Sequence, residues 1–266
     1  MFKQVVVRKN IRRNASCLNN CAKIAVEKPV NMYQHNEAEA KAKLNPSIFN
    51  SRWFAIRELK KSIEFAVSTY IQTDPPSILV DYGCGSQPYK PLILPFVKEY
   101  IGADLTINPK IDAVINEDGR LELPDNSVDF VLSTQVLEHV ADPDLYLSEA
   151  MRVLKKDGTL ILTTHGIWMY HPDPTDYWRW TSAGLMKVVE KAGFETIHFS
   201  GILGRSAIGL QLFQDGFIFK TPKFILPIFC LIMQQLISLA DKTTRQSTKN
   251  YDAANYLIVA KKYQHK

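Results

Sequence analysis

Cysteine is scarce in this chain, and the few cysteines form no recognisable pattern. The four residues are Cys17, Cys21, Cys84 and Cys230. They lack the paired spacings of a zinc site and the density of a disulfide-stabilised secreted domain. The N-terminus shows no signal-peptide pattern. We therefore expect a protein of the reducing cytoplasm.

Long uninterrupted hydrophobic runs are also absent. The most apolar stretch, residues 224–240, is 17 residues long and contains a proline and two glutamines, whereas a membrane-spanning helix needs about 20 apolar residues. Three interpretations stay open for this stretch: a lid or packed core helix, a helix in a membrane interface, and a true span. The basic residues that flank it are Lys220, Lys223, Lys242 and Arg245. Such flanks suit lipid headgroups, so residues 216–245 are the expected contact if the protein is peripheral at the inner face of the membrane.

Positive charge is concentrated at one end of the chain. The formal net charge is +5, and residues 1–45 hold nine lysines and arginines against three glutamates, which leaves the remainder close to neutral. A broad basic surface is therefore absent, and no nucleic-acid partner is expected. We interpret residues 1–45 as a basic tail with partial disorder and residues 46–266 as one domain, which is long enough to bury a substantial core.

The complete glycine patterns of the common phosphate-binding loops are missing as well. No G-x-x-x-x-G-K-S/T motif occurs, which argues against a P-loop. A dinucleotide fingerprint needs a third glycine three residues after the second, but that position holds Pro88, and Pro91 follows. These prolines oppose a tight helix at the turn. We therefore expect neither pyrophosphate binding nor a nicotinamide cofactor.

The chain does contain an apolar strand that ends in a carboxylate and two glycines. Asp81 closes this strand, and Gly83 and Gly85 follow it. Because glycine has no Cβ, a small ligand can reach the main chain at such a turn. A second acidic strand end, Asp104, lies 23 residues after Asp81, where a carboxylate can accept both hydroxyls of a ribose. An anion at Asp81 repels phosphate but attracts ammonium or sulfonium, so the pattern indicates a cationic ligand of the adenosine type.

Strand and helix signals alternate through most of the chain. The predicted strands cover residues 77–81, 99–104, 113–116, 128–134, 159–164 and 194–200, with residues 156–158 as a hairpin-like turn. The predicted helices cover residues 46–71, 92–97, 143–154 and 182–192. This alternation predicts an α/β fold, in which helices cover both faces of a mostly parallel sheet. The long segment that follows, residues 201–250, is expected to be a helical insertion that emerges beside the ligand-binding edge.

Several motifs, taken in order, resemble the class I S-adenosylmethionine-dependent methyltransferases, and in particular their methyltransferase type 11 branch. The resemblance covers residues 76–200, and the motifs that carry it are Asp81-Tyr82-Gly83-Cys84-Gly85, Asp104, residues 123–129 and Leu137-Glu138-His139-Val140. It implies a Rossmann-like, seven-stranded, mostly parallel sheet whose last strand, residues 255–261, runs antiparallel between its neighbours. It also implies that S-adenosyl-L-methionine is the cofactor.

The resemblance further implies which residues hold that cofactor. Asp81 and the backbone of the two glycines would hold the methionine portion, and Asp104 would hold the ribose. The residues assigned to the cofactor in this way are Asp81, Gly83, Gly85, Asp104, Leu105, Asp118, Gly119 and Gln135. Considered by itself, the Asp118-Gly119 pair is also an ordinary turn.

The segment after the fifth predicted strand, residues 164–181, has the most unusual composition. It holds two histidines, two aspartates, one arginine and five aromatic residues in 18 positions. This mixture is too polar to bury cheaply and too aromatic for a solvated linker, but it suits a carbohydrate or another polar ring. The segment also resembles the H-P-x-P-x-D-Y-x-R-x-T loops of bacterial methyltransferases associated with surface glycans or lipid-linked sugars. The predicted acceptor-binding residues are Trp168, Tyr170, Asp173, Tyr177 and Arg179.

Histidines in and near this segment are candidates for a general base. An imidazole with a pKa of about 6.5 can accept a hydroxyl proton near neutral pH. The candidate catalytic residues are His139, His165, His171 and Asp176. The alternative interpretation is that the loop is only a rigid aromatic plug. No metal site is expected, since the spacing of histidine and aspartate matches no standard ligand pattern.

These observations lead to one main functional hypothesis and one alternative. The main hypothesis is an S-adenosylmethionine-dependent methyltransferase that methylates an oxygen of a glycan, a lipid-linked sugar or another small polar metabolite. The alternative is a non-catalytic scaffold of the same fold that binds the cofactor or docks on a membrane. The expected partners are therefore a small-molecule or glycan acceptor and, through residues 216–245, a membrane surface.

Overall fold

The computed structural model describes residues 37–105, 110–116, 118–172 and 175–262. The strands are β1 (Ile78–Tyr82), β2 (Glu99–Leu105), β3 (Ala113–Ile115), β4 (Val128–Thr134), β5 (Leu154–His165), β6 (Phe194–Gly204) and β7 (Ala253–Lys262). The helices are α1 (Glu37–Leu44), α2 (Trp53–Tyr70), α3 (Lys90–Ile93), α4 (Pro143–Val153), α5 (Ser182–Lys191), α6 (Arg205–Ile218), α7 (Leu226–Lys242) and α8 (Gln246–Lys249), with a short 3-10 helix at Leu137–His139. Of the predicted basic tail, residues 1–36 lie outside the described residues, and α1 occupies most of the rest.

The strands form one sheet in the order β3-β2-β1-β4-β5-β7-β6. All neighbouring pairs are parallel except those made by β7, which runs antiparallel to both β5 and β6. The predicted seven-stranded, mostly parallel sheet with an antiparallel last strand between its neighbours is confirmed. Strand order reverses beside β1, and ligands of open parallel sheets bind at such a switch point.

Two apolar layers cover the sheet because the side chains of each strand alternate between its faces. In β1, Leu79 belongs to the layer formed with α2, α6 and α7, whereas Val80 belongs to the layer formed with α4 and α5. Helix α2 was predicted from its apolar spacing, and its Ile63 and Val67 are fully buried. The ends of α4 and α5 are fixed locally. The Asp142 side chain caps α4 by accepting from Leu145 N at 3.0 Å, and Gly193, directly after the last turn of α5, has φ +92°.

Two predicted helix boundaries were wrong. Helix α2 begins at Trp53 and not at residue 46, because a turn precedes it in which the Asn50 side chain accepts from Arg52 N at 2.7 Å. The helix predicted at residues 92–97 is instead the four-residue α3, whose first turn holds Pro91. After it, Phe96 N donates to Ile93 O in a further turn.

Two strand boundaries were wrong as well. Residues 156–158 do not form a hairpin-like turn but a bulge inside β5, where Asp157 has φ +67° and the register with β4 shifts. Strand β6 continues to Gly204, so the helical insertion begins at Arg205 and not at residue 201. Residues 201–204 of β6, which lie beyond the predicted end, pair with the first residues of β7. Because β7 begins at Ala253, the antiparallel pairing of β6 and β7 extends to Gly204.

The insertion packs against α2 through a buried cluster of three glutamines, Gln211, Gln214 and Gln234, each with no exposed surface. Gln234 Oε1 accepts from Phe54 N at 2.8 Å, in the first turn of α2, and Gln234 Nε2 donates to Ser51 O at the same distance. Gln234 Nε2 also lies 2.9 Å from Gln214 Oε1. These bonds fix α6 and α7 to the start of α2. Within the described part of the chain, no helix has the length and apolar character that a membrane span requires.

The buried glutamine cluster makes a prediction about stability. Gln234→Ala should lower the free energy of unfolding by about 2–4 kcal/mol, because it leaves a helix N–H and two glutamine side chains short of partners in the core. The matched control is Gln235→Ala, at the exposed neighbouring position on the same helix. Urea denaturation of both variants measures the difference. Equal stability of the two variants would show that the cluster contributes nothing beyond helix packing.

Candidate functional site

The carboxyl ends of the parallel strands and the start of β7 meet at one edge of the sheet, and this edge carries the candidate site. The turn after β1 has the expected glycine geometry, with φ +84° at Gly83 and +51° at Gly85. Gly83 N donates to Ala103 O at 2.9 Å, which holds the turn against β2. A Cβ on Gly83 would lie only 2.6 Å from Val136 Cγ2, so a side chain fits neither the conformation nor the space.

Asp104 is joined to this turn directly. Its Oδ2 accepts from Gly85 N at 3.1 Å, and its Oδ1 accepts from Leu105 N at 2.9 Å. Leu105, at the end of β2, is 39% exposed. The two acidic strand ends and the glycine turn, which the sequence separates by about twenty residues, therefore form one cradle.

Asp81 is buried at the end of β1 and only partly satisfied. Its Oδ2 accepts from the Tyr100 hydroxyl at 2.5 Å, and its Oδ1 has no hydrogen-bond partner among the described residues. Burial raises the pKa of Asp81 to about 7, and the Tyr100 hydrogen bond only partly opposes this rise. A buried carboxylate of this kind is costly unless a cation or a donor pairs with it.

Two other buried groups near the turn also lack partners within the described residues. Both amide atoms of Gln135, at the end of β4, make no hydrogen bond, and neither does Ser86 Oγ directly after the glycines. Gln135 itself has φ +56°. Buried polar atoms are rarely left unpaired, so such a group of atoms at one edge indicates a polar ligand. Ser86 was not identified from the sequence, although its position directly after Gly85 is a usable signal.

Asp118 and Gly119 lie in a turn that is attached to the end of β1. The Tyr82 hydroxyl donates to Gly119 O, and Gly119 has φ +83°. Asp118 Oδ1 accepts from Arg120 N at 3.1 Å, so this exposed carboxylate shapes the turn. The predicted contact of the pair with adenine is compatible with this position and stays a prediction.

The histidine cluster lies at the ends of β4 and β5. Glu138 Oε2 accepts from Thr164 Oγ1 at 2.8 Å, and Glu138 Oε1 lies 3.2 Å from His165 Nε2. His165 Nδ1 lies 2.6 Å from Asn255 Oδ1, on the paired strand β7. Burial raises the pKa of Glu138 to about 7 and lowers the pKa of His165 to about 3. His165 is therefore neutral near pH 7 and a weak base.

His139 and His171 lie at the solvent side of this cluster. His139 Nδ1 is 2.7 Å from Thr175 O, and because a carbonyl can only accept, this nitrogen carries the hydrogen and the lone pair lies on Nε2. The His171 ring is 4.9 Å from the rings of both His139 and His165. Burial lowers the pKa of His171, and the neighbouring His139 lowers it further. Among the three histidines, half-buried His139 has the geometry that best suits a proton acceptor.

An ion pair between Asp176 and Arg179 organises the loop. Arg179 Nη1 donates to Asp176 Oδ1 at 2.6 Å, and Asp176 Oδ2 accepts from His171 N at 2.9 Å. The Arg179 hydrogen bonds hold the pKa of Asp176 down at about 2. Arg179 Nη2 also donates to Asp176 Oδ2, and three further N–H groups of Arg179 donate to the backbone oxygens of residues 168, 169 and 178. All five of its N–H groups are then used, so in this conformation Arg179 holds the loop together, and Asp176 acts as a positioning residue.

The aromatic residues of the loop divide into packed and exposed ones. Trp168 stacks on His165 with ring centroids 5.5 Å apart, and the Arg52 guanidinium lies 5.0 Å from the Trp168 ring. Tyr170 is 71% exposed and Tyr177 is 53% exposed. These two rings are free to meet an acceptor. Asp173, also predicted to bind the acceptor, lies outside the described residues. The contact with Arg52 was missed because that residue lies over a hundred positions earlier in the chain.

Three side chains of the cluster could together hold a metal ion. Glu138, His165 and His171 each offer a ligand atom, and these atoms lie within 4.8 Å of one another. Arg179 and Asp176, which carry opposite charges, both act on all three groups. The charged neighbours therefore neither favour nor exclude a bound cation. The absence of a metal site, expected from the sequence, stays a prediction.

Comparisons with known proteins single out the same part of the chain. Residues 80–162 match the family described as a methyltransferase domain. A probable S-adenosylmethionine-dependent methyltransferase of Mycolicibacterium smegmatis is 30% identical over 139 residues, which are 47% of this chain and 54% of that protein. A second protein so described, from Mycobacterium tuberculosis, is 30% identical over 95 residues, which are 32% of this chain and 35% of that protein. The chain thus spans about half the length, or less, of these curated relatives.

Solved structures establish the fold. A methyltransferase in complex with the Haloferax volcanii Trm112 methyltransferase activator has a TM-score of 0.53 and 17% identity, with 86% of this chain and 96% of that one covered. The cyclase SpnF has the same TM-score and 18% identity, with 89% of this chain and 98% of that one covered. The chain therefore shares the Rossmann-like fold of these proteins. Because one of these neighbours is described as a cyclase, the reaction has to be argued from the site.

Proposed function

We propose that this chain is an S-adenosylmethionine-dependent methyltransferase that methylates an oxygen of a glycan, a lipid-linked sugar or another small polar metabolite. One observation carries the proposal: beside the glycine turn, buried polar atoms of Asp81, Ser86 and Gln135 have no hydrogen-bond partner among the described residues. All three residues lie in the stretch that matches a methyltransferase domain. The cradle formed by the glycine turn, Asp81 and Asp104 fits a cationic nucleoside better than a pyrophosphate, since its two carboxylates repel phosphate groups.

The residues of the cradle fit the separate parts of S-adenosylmethionine. Asp81 would pair with the ammonium of the methionine portion, and Asp104 would accept the ribose hydroxyls. The amide of Gln135 would find its missing partners in the methionine portion. When bound, the cofactor supplies a methyl group on a sulfonium sulfur.

The acceptor side of the reaction needs a proton acceptor and a surface for the sugar. His139 Nε2 would take the proton of the acceptor hydroxyl, since its Nδ1 is engaged with Thr175 O. The exposed rings of Tyr170 and Tyr177 would pack on the C–H faces of the acceptor. The ion pair of Asp176 and Arg179 would keep this loop in place, which favours alignment of the hydroxyl with the methyl group.

The raised pKa of Asp81 predicts how cofactor affinity depends on pH. Below pH 7 the free protein holds Asp81 protonated, and a cationic ligand has to displace that proton, whereas above pH 7 the carboxylate is already ionised. The affinity for S-adenosylhomocysteine, which keeps the ammonium group, should therefore fall by up to about tenfold for each pH unit below 7. Nearby Asp104 raises and Lys90 lowers this pKa. Calorimetric titration between pH 5.5 and 8.5 measures the slope, which should vanish in Asp81→Asn.

Methyl transfer itself tests the proposal. The pure protein is incubated with S-adenosylmethionine labelled in its methyl group and with polysaccharide, lipid and small-metabolite fractions of the organism that encodes it. We expect label in a sugar-containing fraction and an equal amount of S-adenosylhomocysteine, and neither from Asp81→Asn. Tight cofactor binding without transfer to any fraction would favour the non-catalytic scaffold instead.

A further inference from the structure

The hairpin formed by α6 and α7 (Arg205–Lys242) carries a set of large apolar side chains that face solvent. Phe219 is 97% exposed and Phe224 is 81% exposed, both in the connection between the helices. The exposed apolar residues on and beside α7 are Ile225, Ile228, Ile232, Leu236 and Leu239. They recur at intervals of three or four, so they form one stripe along the helix. Exposed apolar groups of this extent usually mark a binding surface.

The stripe does not result from an unpacked helix. The other side of α7 is buried in the core through Cys230, Met233 and Ile237. The buried Gln234 also fixes this side of the helix to the start of α2. Helix α7 therefore has two apolar faces, of which only one packs against described residues. A helix that is apolar on both faces is stable in water only if the second face also finds a partner.

The charges around the stripe have one sign. No aspartate or glutamate occurs in residues 216–240, and the exposed Lys220 and Lys223 lie beside Phe219 and Phe224 in the sequence. The two acidic residues that bracket this segment are already paired within the protein. Asp215 lies 2.5 Å from Arg52, and Asp241 lies 2.5 Å from Lys249. The surface is therefore apolar and cationic, which is complementary to an anionic lipid headgroup layer.

The same charges argue against two other occupants. A second copy of the chain that packed through the same stripe would bring its own exposed Lys220 and Lys223 to this surface, which already carries these two lysines. The first 36 residues are no better suited, because they hold seven basic residues and one glutamate. We propose that the α6–α7 hairpin docks the protein on an anionic lipid surface, with the aromatic connection and the α7 stripe in the headgroup region.

The hairpin is connected to the candidate acceptor loop. Helix α6 follows β6 directly at the edge of the sheet that carries the site. Arg52 pairs with Asp215 of α6 and also lies over Trp168 of the loop. Docking would therefore hold the loop near lipid, which favours a lipid-linked sugar as the acceptor. This last step rests on the proposed methyl transfer, whereas the docking itself does not.

Vesicle binding tests the docking without any methyl transfer. The full chain is sedimented with vesicles of phosphatidylcholine containing about 30% phosphatidylglycerol, and with vesicles of phosphatidylcholine alone. We expect binding to the anionic vesicles that weakens with added salt. Phe219→Ser/Phe224→Ser should weaken it at least about tenfold, since two largely exposed rings no longer enter the interface. Lys220→Glu/Lys223→Glu should weaken it by about tenfold or more.

Matched controls change the same residue types elsewhere on the surface. Leu145→Ser replaces an exposed apolar side chain on α4, and Lys156→Glu/Lys187→Glu reverses two exposed lysines; both should bind vesicles like the unchanged protein. Circular dichroism checks that all variants are folded. The proposal is overturned if the unchanged protein does not bind anionic vesicles, or if the double variant Phe219→Ser/Phe224→Ser binds them as well as the controls do. It is also overturned if light scattering shows a dimer that only this variant dissociates, because a second copy then covers the stripe.

Discussion

Asp81→Asn is expected to weaken the binding of S-adenosylhomocysteine by about 10- to 100-fold, the range for a lost hydrogen bond to a charged group. The substitution keeps the size of the side chain and leaves an oxygen that can still accept from the Tyr100 hydroxyl. It removes the negative charge that the ammonium of the ligand would meet in a buried environment. Calorimetric titration of the pure variant measures the loss.

Two further measurements make the Asp81 prediction specific. Thermal stability should not fall, because the substitution replaces a buried carboxylate, one oxygen of which has no partner in the described part of the chain, with a neutral amide. Asp144→Asn, at an exposed position on α4, is the matched control and should bind the ligand normally. Normal binding by Asp81→Asn would mean that the carboxylate only supports β2 through Tyr100 and does not contact the cofactor.

His139→Gln is expected to lower the rate of methyl transfer by about 10²- to 10⁴-fold, the usual contribution of a general base. Cofactor affinity should stay within about twofold, because the histidine belongs to the acceptor side of the site and not to the glycine cradle. Glutamine can still donate to Thr175 O, so the loop should keep its conformation. Rates with the labelled methyl donor and the identified acceptor fraction measure the effect.

The control for His139 is another half-buried histidine away from the site. His198→Gln, on β6 beside Phe65 and Tyr70, should leave the rate unchanged. A small effect of His139→Gln together with a large effect of His171→Gln would assign the proton acceptor to His171. Equal losses of rate and cofactor affinity in His139→Gln would instead show a structural role for this residue.

The sequence was sufficient for features that depend on neighbouring residues. The glycine turn and the two acidic strand ends are set by local backbone geometry and could be predicted directly from the sequence. The mostly parallel, seven-stranded sheet with an antiparallel last strand between its neighbours followed from the alternation of strands and helices together with the family resemblance. The end of β6 could not be predicted in this way, because it depends on where β7 begins about fifty residues later.

Contacts between distant parts of the chain account for the rest of the site. The side chains of His165 and Asn255 are in contact although 90 positions separate them in the sequence. Gln234 and Phe54 form a hydrogen bond across a separation of 180 positions. Arg179 was predicted to bind the acceptor from its residue type, but all five of its donors form hydrogen bonds within the loop. Residue type alone does not reveal whether a polar group already has its partners, and that distinction decides which groups remain for a ligand.

Binding of S-adenosylhomocysteine by the pure, full-length protein tests the central claim most directly. Isothermal titration calorimetry at pH 8 should show one site per chain. Titration with NAD under the same conditions should show no binding. A pyrophosphate needs a helix N-terminus at this turn, whereas the cradle presents carboxylates and Pro88 there. Absence of binding by S-adenosylhomocysteine, or tighter binding by NAD, would contradict the account.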